Sequence, residues 1–193
     1  MRIFLSCGVD LEVKDERDWT PLMFSVSNRN EEFALLFIQC GARVIARDKN
    51  GFTPLHWAAL NGMTKVVEAL LSKNADINLK SKFGWTSLMQ SCIHGHTHIA
   101  NALIFAGAEV DARNSDGSAA LHIAAGKGYI EIVQLLLSSG ADRGISNQDG
   151  NSPLALASRA GHHSIVDLLS EGGASDTKEV SSWMMKILKG HKN

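Results

Sequence analysis

Asp48-Lys49-Asn50-Gly51-Phe52-Thr53-Pro54-Leu55-His56-Trp57-Ala58-Ala59-Leu60-Asn61-Gly62 decides the fold. Thr53 suits a helix N-cap, and Pro54 suits the first helical position, where its missing N–H costs nothing. Leu55, Ala58 and Ala59 follow at i, i+3 and i+4 on one face. The small alanines let a neighbouring helix approach closely, and Gly62 supplies the left-handed residue that ends the short helix. Downstream, Val66, Val67, Leu70 and Leu71 give a second helix its apolar stripe. Asn74 terminates that helix, asparagine being the best substitute for glycine in a left-handed turn. The residues to Lys80 make an extended turn. Such a unit cannot bury its two-sided apolar face alone, so units must stack.

The same pattern recurs along the chain. Asp15, Asp48, Ser81, Asn114 and Asn147 stand 33 residues apart. Behind them lie Asp18-Trp19-Thr20-Pro21-Leu22, Gly84-Trp85-Thr86-Ser87-Leu88, Gly117-Ser118-Ala119-Ala120-Leu121 and Gly150-Asn151-Ser152-Pro153-Leu154. Later in the units come Leu70-Leu71, Leu103-Ile104 and Leu136-Leu137, followed by Asn74-Ala75, Gly107-Ala108 and Gly140-Ala141. Self-similarity at this period is the signature of a repeat architecture. In period, and in Gly-x-Thr-Pro-Leu-His, Ala-Ala-x-x-Gly and Leu-Leu-x-x-Gly-Ala, the chain resembles the ankyrin-repeat family from residue 1 to about residue 175.

The resemblance implies an all-α ankyrin-repeat solenoid, stacked helix-turn-helix units joined by β-hairpin-like turns. Complete units are expected at 15–47, 48–80, 81–113 and 114–146, with a C-terminal unit at 147–175. Residues 1–14 match only the end of a unit: Phe4-Leu5-Ser6-Cys7-Gly8-Val9-Asp10 parallels Phe37-Ile38-Gln39-Cys40-Gly41-Ala42-Arg43. That reads as a truncated repeat in a chain cut from a longer protein, or as a reduced cap. Within 176–190, Val180, Trp183, Met184, Ile187 and Leu188 fall at helical spacing. This amphipathic segment is expected to cap the last unit, the alternative being a partner-docking helix.

Composition excludes several classes. The 193 residues carry 19 basic and 20 acidic side chains, a formal charge of −1 that offers no bulk attraction to nucleic acid or anionic lipid. The apolar stretches are too short to span a bilayer, and the N-terminus is no convincing signal peptide. The odd cysteine count (Cys7, Cys40, Cys92) argues for a reducing compartment. Cys7 and Cys40 occupy equivalent places in successive units, on the order of 10 Å apart, too far for a disulfide. An intracellular protein, cytoplasmic or nuclear, is expected.

Catalytic chemistry is not expected. His94, His96 and His98 suggest a metal cluster, but Gly95 breaks the i, i+4 geometry between His94 and His98. No Gly-rich phosphate loop occurs. No enzyme activity, metal or other cofactor is predicted. The resemblance implies that His56 and His122 make structural hydrogen bonds between repeats. Met23, Met89 and Ala155 replace them elsewhere.

The resemblance also implies a concave binding face built from turn tips and first helices. The residue before each Thr-Pro-Leu turn is Trp19, Phe52, Trp85, Ser118 and Asn151, with Phe83 beside Trp85 and Trp57 on the adjacent helix. Three aromatic residues in register mark a contact surface or rings that stiffen the stack; the first reading is preferred. A second column holds Lys14, Arg47, Lys80 and Arg113, with Arg17, Lys49 and Lys82 nearby. It is either a solvated edge or a rail that steers an acidic partner. Asp116 and Asp149 make the far end more acidic. Asp76-Ile77-Asn78 resembles the motif that asparaginyl hydroxylases recognise in ankyrin repeats, which makes Asn78 a modification candidate.

The expected function is therefore a protein-protein interaction module. Its partner would be a protein or extended peptide, acidic with apolar anchors, rather than nucleic acid, membrane or a small-molecule substrate. The alternative is a regulatory or targeting segment of a larger enzyme, channel or ubiquitin-ligase subunit.

Overall fold

Thr20, Thr53, Thr86 and Ser152 each immediately precede a short helix, as N-cap chemistry requires. The computed structural model of the protein describes residues 10–170. Residues 1–9 of the leading partial unit, the end of the last unit and the amphipathic segment at 176–190 lie outside the described residues.

The described residues form ten helices in five pairs: α1 (Pro21–Ser27) and α2 (Glu31–Gln39); α3 (Pro54–Leu60) and α4 (Thr64–Ser72); α5 (Ser87–Ile93) and α6 (Thr97–Phe105); α7 (Ala120–Lys127) and α8 (Ile130–Ser138); α9 (Pro153–Ala160) and α10 (His163–Ser170). The first helix of each pair packs on the first helix of the next, and second helices follow suit. This is an all-α solenoid, with no strand among the described residues.

Its core is a set of columns. Val66, Ile99, Ile132 and Ile165 occupy one register and are at most 2% exposed. Leu70, Leu103, Leu136 and Leu169 form a second buried column. Fully burying a side chain of this size contributes roughly 1.5–3 kcal/mol, so stacking outweighs the poor autonomy of helices only seven to nine residues long. Phe33 shares the isoleucine register but lies on the first described pair. It is exposed there, and stacks on Phe37 with ring centroids 6.3 Å apart.

Polar ties lock neighbouring pairs together. The Thr53 amide donates to His56 Nδ1 (3.1 Å), which leaves the Nε2 proton for the Trp85 carbonyl oxygen, 3.0 Å away in the next repeat. His122 repeats this between the Ala119 amide and the Asn151 carbonyl. Met23, Met89 and Ala155 have no ring to make such a bond.

The turn tips need left-handed backbone. Gly51, Gly84, Gly117 and Gly150 supply it with φ between 74° and 79°, and Asp18 adopts φ 63° in the same register. Arg29 (φ 54°) likewise stands where other units place Gly62, Gly95, Gly128 and Gly161.

Candidate functional site

The tips are built by short polar side chains. Oδ1 of Asp48 accepts the amides of Asn50 and Phe52, at 2.8 and 2.9 Å. Asp15, Asn114 and Asn147 bind the corresponding pairs of amides, and Ser81 Oγ accepts from the Trp85 amide. These side chains act as backbone surrogates and hold each tip in one conformation. Adjacent tips are then joined main chain to main chain. The amides of Lys49, Lys82, Ser115 and Gln148 donate to the carbonyls of Arg17, Asn50, Phe83 and Asp116, at 2.9–3.0 Å. The result is a continuous hydrogen-bonded edge crossing all five units.

Along that edge, the three aromatic residues of the sequence column have different surroundings. Trp19 meets Trp57 edge to face, with centroids 5.1 Å apart. Phe52 lies 5.4 Å from Trp57 and 5.3 Å from the His56 ring. Trp19, Phe52 and Trp57 thus form one knot, half-buried and bridging two repeats. Both indole N–H groups donate to Asp48 Oδ2 at 3.2 Å, and the Arg17 guanidinium sits 3.8 Å over the Trp19 ring. Trp85 is half-buried separately and packs against the core one repeat further on. Phe83 stands apart from all of these, 58% exposed at its tip.

The basic column proves to be a second ladder. Arg47 Nη2 donates to the Lys80 carbonyl, Lys80 Nζ reaches the Arg113 carbonyl (3.4 Å), and Arg113 Nη2 donates to the Ser146 carbonyl. Arg113 Nε also donates to the Gly117 carbonyl (2.9 Å). Each side chain therefore spans to the backbone of the following repeat. Arg17 is committed too, to Asp15 at 3.0 Å and to the Trp19 ring. Lys49 and Lys82, by contrast, carry exposed charge with no ion-pair partner among the described residues.

Two residues that shape this surface were not singled out in the sequence. Asp48 is 6% exposed and gathers four N–H groups, although the sequence marked it only as the start of a repeat. Its second oxygen distinguishes it from Ser81, and two tryptophans within reach were the available signal. Phe24 is 56% exposed in the register that Trp57 occupies one repeat later.

Asn78 is bound across a repeat boundary. Its Oδ1 accepts the Glu109 amide at 2.9 Å and its Nδ2 donates to the Gly107 carbonyl at 3.3 Å. Glu12 and Asp111 make related ties to the amides of Arg43 and Asp142, and Ile45, in the same register, has no polar atom to do so. A groove of about 400 Å³ lies beside it, lined by Ile38, Val44, Ile45 and Lys73 among others.

His96, like His56 and His122, ties neighbouring repeats together. His96 Nε2 lies 3.1 Å from the Leu60 carbonyl oxygen, and its ring covers Gly62 so closely that a Cβ there would come within 2.7 Å. Burial holds His96 and His122 below the ordinary histidine value and drives His56 down to about 4. Among the described residues no cluster of three or more His, Cys, Asp or Glu side chains is placed to hold a metal ion. Burial pushes the Cys92 thiol up to about 12, which suppresses its thiolate. No described helix is long and apolar enough to cross a membrane.

The model of the family described as ankyrin repeats (3 copies) matches residues 1–81 and 88–180. The chain belongs to the ankyrin-repeat family. A comparison with curated proteins returned no match. Ankyrin repeats are generally protein-protein interaction modules and are typically non-enzymatic.

Proposed function

We propose that this ankyrin solenoid binds a protein or extended peptide along its concave face, over the turn tips and the first helices. The observation that carries the reading is Phe83. The tip is already held by Ser81 and by the main-chain ladder, and folding gains little from a phenyl ring left 58% exposed. Exposed apolar surface of this kind serves contact. Trp85, Phe52, Trp57 and Trp19 stand as half-buried rings along the same edge, and Arg17, Lys49, Lys82, Arg47, Lys80 and Arg113 give that edge positive potential that favours acidic partners. The ladder bonds of the last three do not remove their charge. Binding rather than catalysis is the reading throughout, with an intracellular location, cytoplasmic or nuclear, in keeping with the cysteine usage.

Asn78 remains our candidate for side-chain hydroxylation. An enzyme would have to free its amide from the Glu109 and Gly107 bonds first. Mass spectrometry of protein from cells showing only unmodified Asn78 removes the site.

The test of the concave face is affinity capture from lysate by the full chain and by a Phe52/Phe83/Trp85 triple alanine variant, with circular dichroism confirming helix content. Selective loss of captured proteins from the folded variant is expected. An unchanged set of captured proteins would falsify the assignment of the face.

A further inference from the structure

The tip edge is polar along its length in a way that goes beyond a generally basic rim. In hydrogen-bonded order it reads Arg17, Lys49, Asn50, Lys82, Phe83, Ser115, Asp116, Gln148. The cations at its start differ in availability. Arg17 is engaged by Asp15 and stacked on Trp19, and Arg47, Lys80 and Arg113 are tied to carbonyl oxygens of the next repeat. Among these cations, the Lys49 and Lys82 side chains have neither a hydrogen bond nor an ion pair among the described residues. Phe83 follows Lys82 directly and is likewise uncommitted. The aromatic knot over Trp19, Phe52 and Trp57 is instead absorbed in holding two repeats together.

We infer that the recognition centre is the Lys49–Lys82–Phe83 stretch, and that it takes an extended acidic peptide with one apolar anchor. This rests on the concave-face reading and narrows it. Repeats stack on the order of 10 Å apart, and an extended chain advances about 3.4 Å per residue. Two carboxylates roughly three residues apart therefore match Lys49 and Lys82, and an aromatic or large aliphatic residue next to the second carboxylate covers Phe83. Asp116 and Asp149 repel further acids beyond that point, so the peptide lies with its acidic end over the repeat that contains Lys49.

Panning a random twelve-residue peptide display library against the full chain at low salt tests this, with enriched peptides then synthesised and titrated. The expected consensus is two acidic residues about three apart with an apolar residue beside the second. Phe83→Ser and Lys82→Glu each weaken binding tenfold or more, and the Lys49→Glu/Lys82→Glu double variant enriches basic peptides instead. All three sites are exposed, so the variants keep the wild-type circular dichroism spectrum. Peptides that lack acids, yet lose affinity in Trp85→Ala, overturn this specificity and leave the concave face standing. No enrichment, or peptides indifferent to every tip variant, overturns both.

Discussion

Trp19 and Trp57 come from successive repeats, meet edge to face at 5.1 Å, and donate their indole protons to the same oxygen of Asp48. The other Asp48 oxygen receives the amides of Asn50 and Phe52, so one buried carboxylate closes a turn and clamps two repeats. Asp48→Ala would orphan four donors in a half-buried place. Each unsatisfied group costs about 1–3 kcal/mol, and partial access to water brings the expected total to about 3 kcal/mol. Asp48→Asn, which keeps one acceptor oxygen, should lose about half as much. Urea unfolding of the three proteins checks the order, and equal midpoints would show that the shared acceptor is unimportant.

The knot also separates aromatic residues that the sequence column grouped together. Trp19→Ala removes a ring packed on Trp57 and covered by Arg17, and should cost about 2–3 kcal/mol. Phe83→Ser should change stability by about 0.5 kcal/mol or less, as expected of an exposed site. Thermal denaturation distinguishes them, and a large loss for Phe83→Ser would mean that its ring is structural.

Ser87 occupies the register filled by Pro21, Pro54 and Pro153, and its buried hydroxyl has no hydrogen-bond partner. Ser87→Pro deletes that hydroxyl and pre-sets the first helical turn at a position where no intrahelical N–H bond is lost. Asp18→Gly relieves a left-handed residue at φ 63°. Each is expected to raise stability by about 1 kcal/mol. A double variant no more stable than wild type contradicts this.

His56 links stability to pH. Burial lowers its folded value from 6.5 to about 4, so the unfolded chain binds a proton more readily. Stability is then fully present above pH 6.5 and is lost as pH falls toward 4, by up to about 3 kcal/mol from this residue. His96 and His122 are displaced in the same direction and add to the slope. Chemical denaturation between pH 7.5 and 4.5 should show the decline, and His56→Gln should flatten it. A wild-type curve without that decline would refute the assignment.

Much of this was legible before any coordinates, for a specific reason. A 33-residue period with Thr-Pro at its helix starts and glycine at its stops encodes local backbone decisions, and local decisions survive in sequence. Even the exceptions were readable. Asn74 takes φ 56° where Gly41, Gly107 and Gly140 stand in other repeats. The site was legible only as columns, because a period reveals which residues are equivalent and not which of them touch.

Sequence alone determined the family, the helix pairs and the columns of aromatic and basic residues, and the family resemblance implied the structural role of His56 and His122. Tertiary structure decided which of those residues are already occupied. Trp19 and Trp57 share Asp48, Arg47 and Arg113 are bound to the following repeat, and Phe83, Lys49 and Lys82 are left outward. The physical reason is that whether a side chain is bonded depends on partners 29 to 33 residues away, brought within about 3 Å only when the repeats stack.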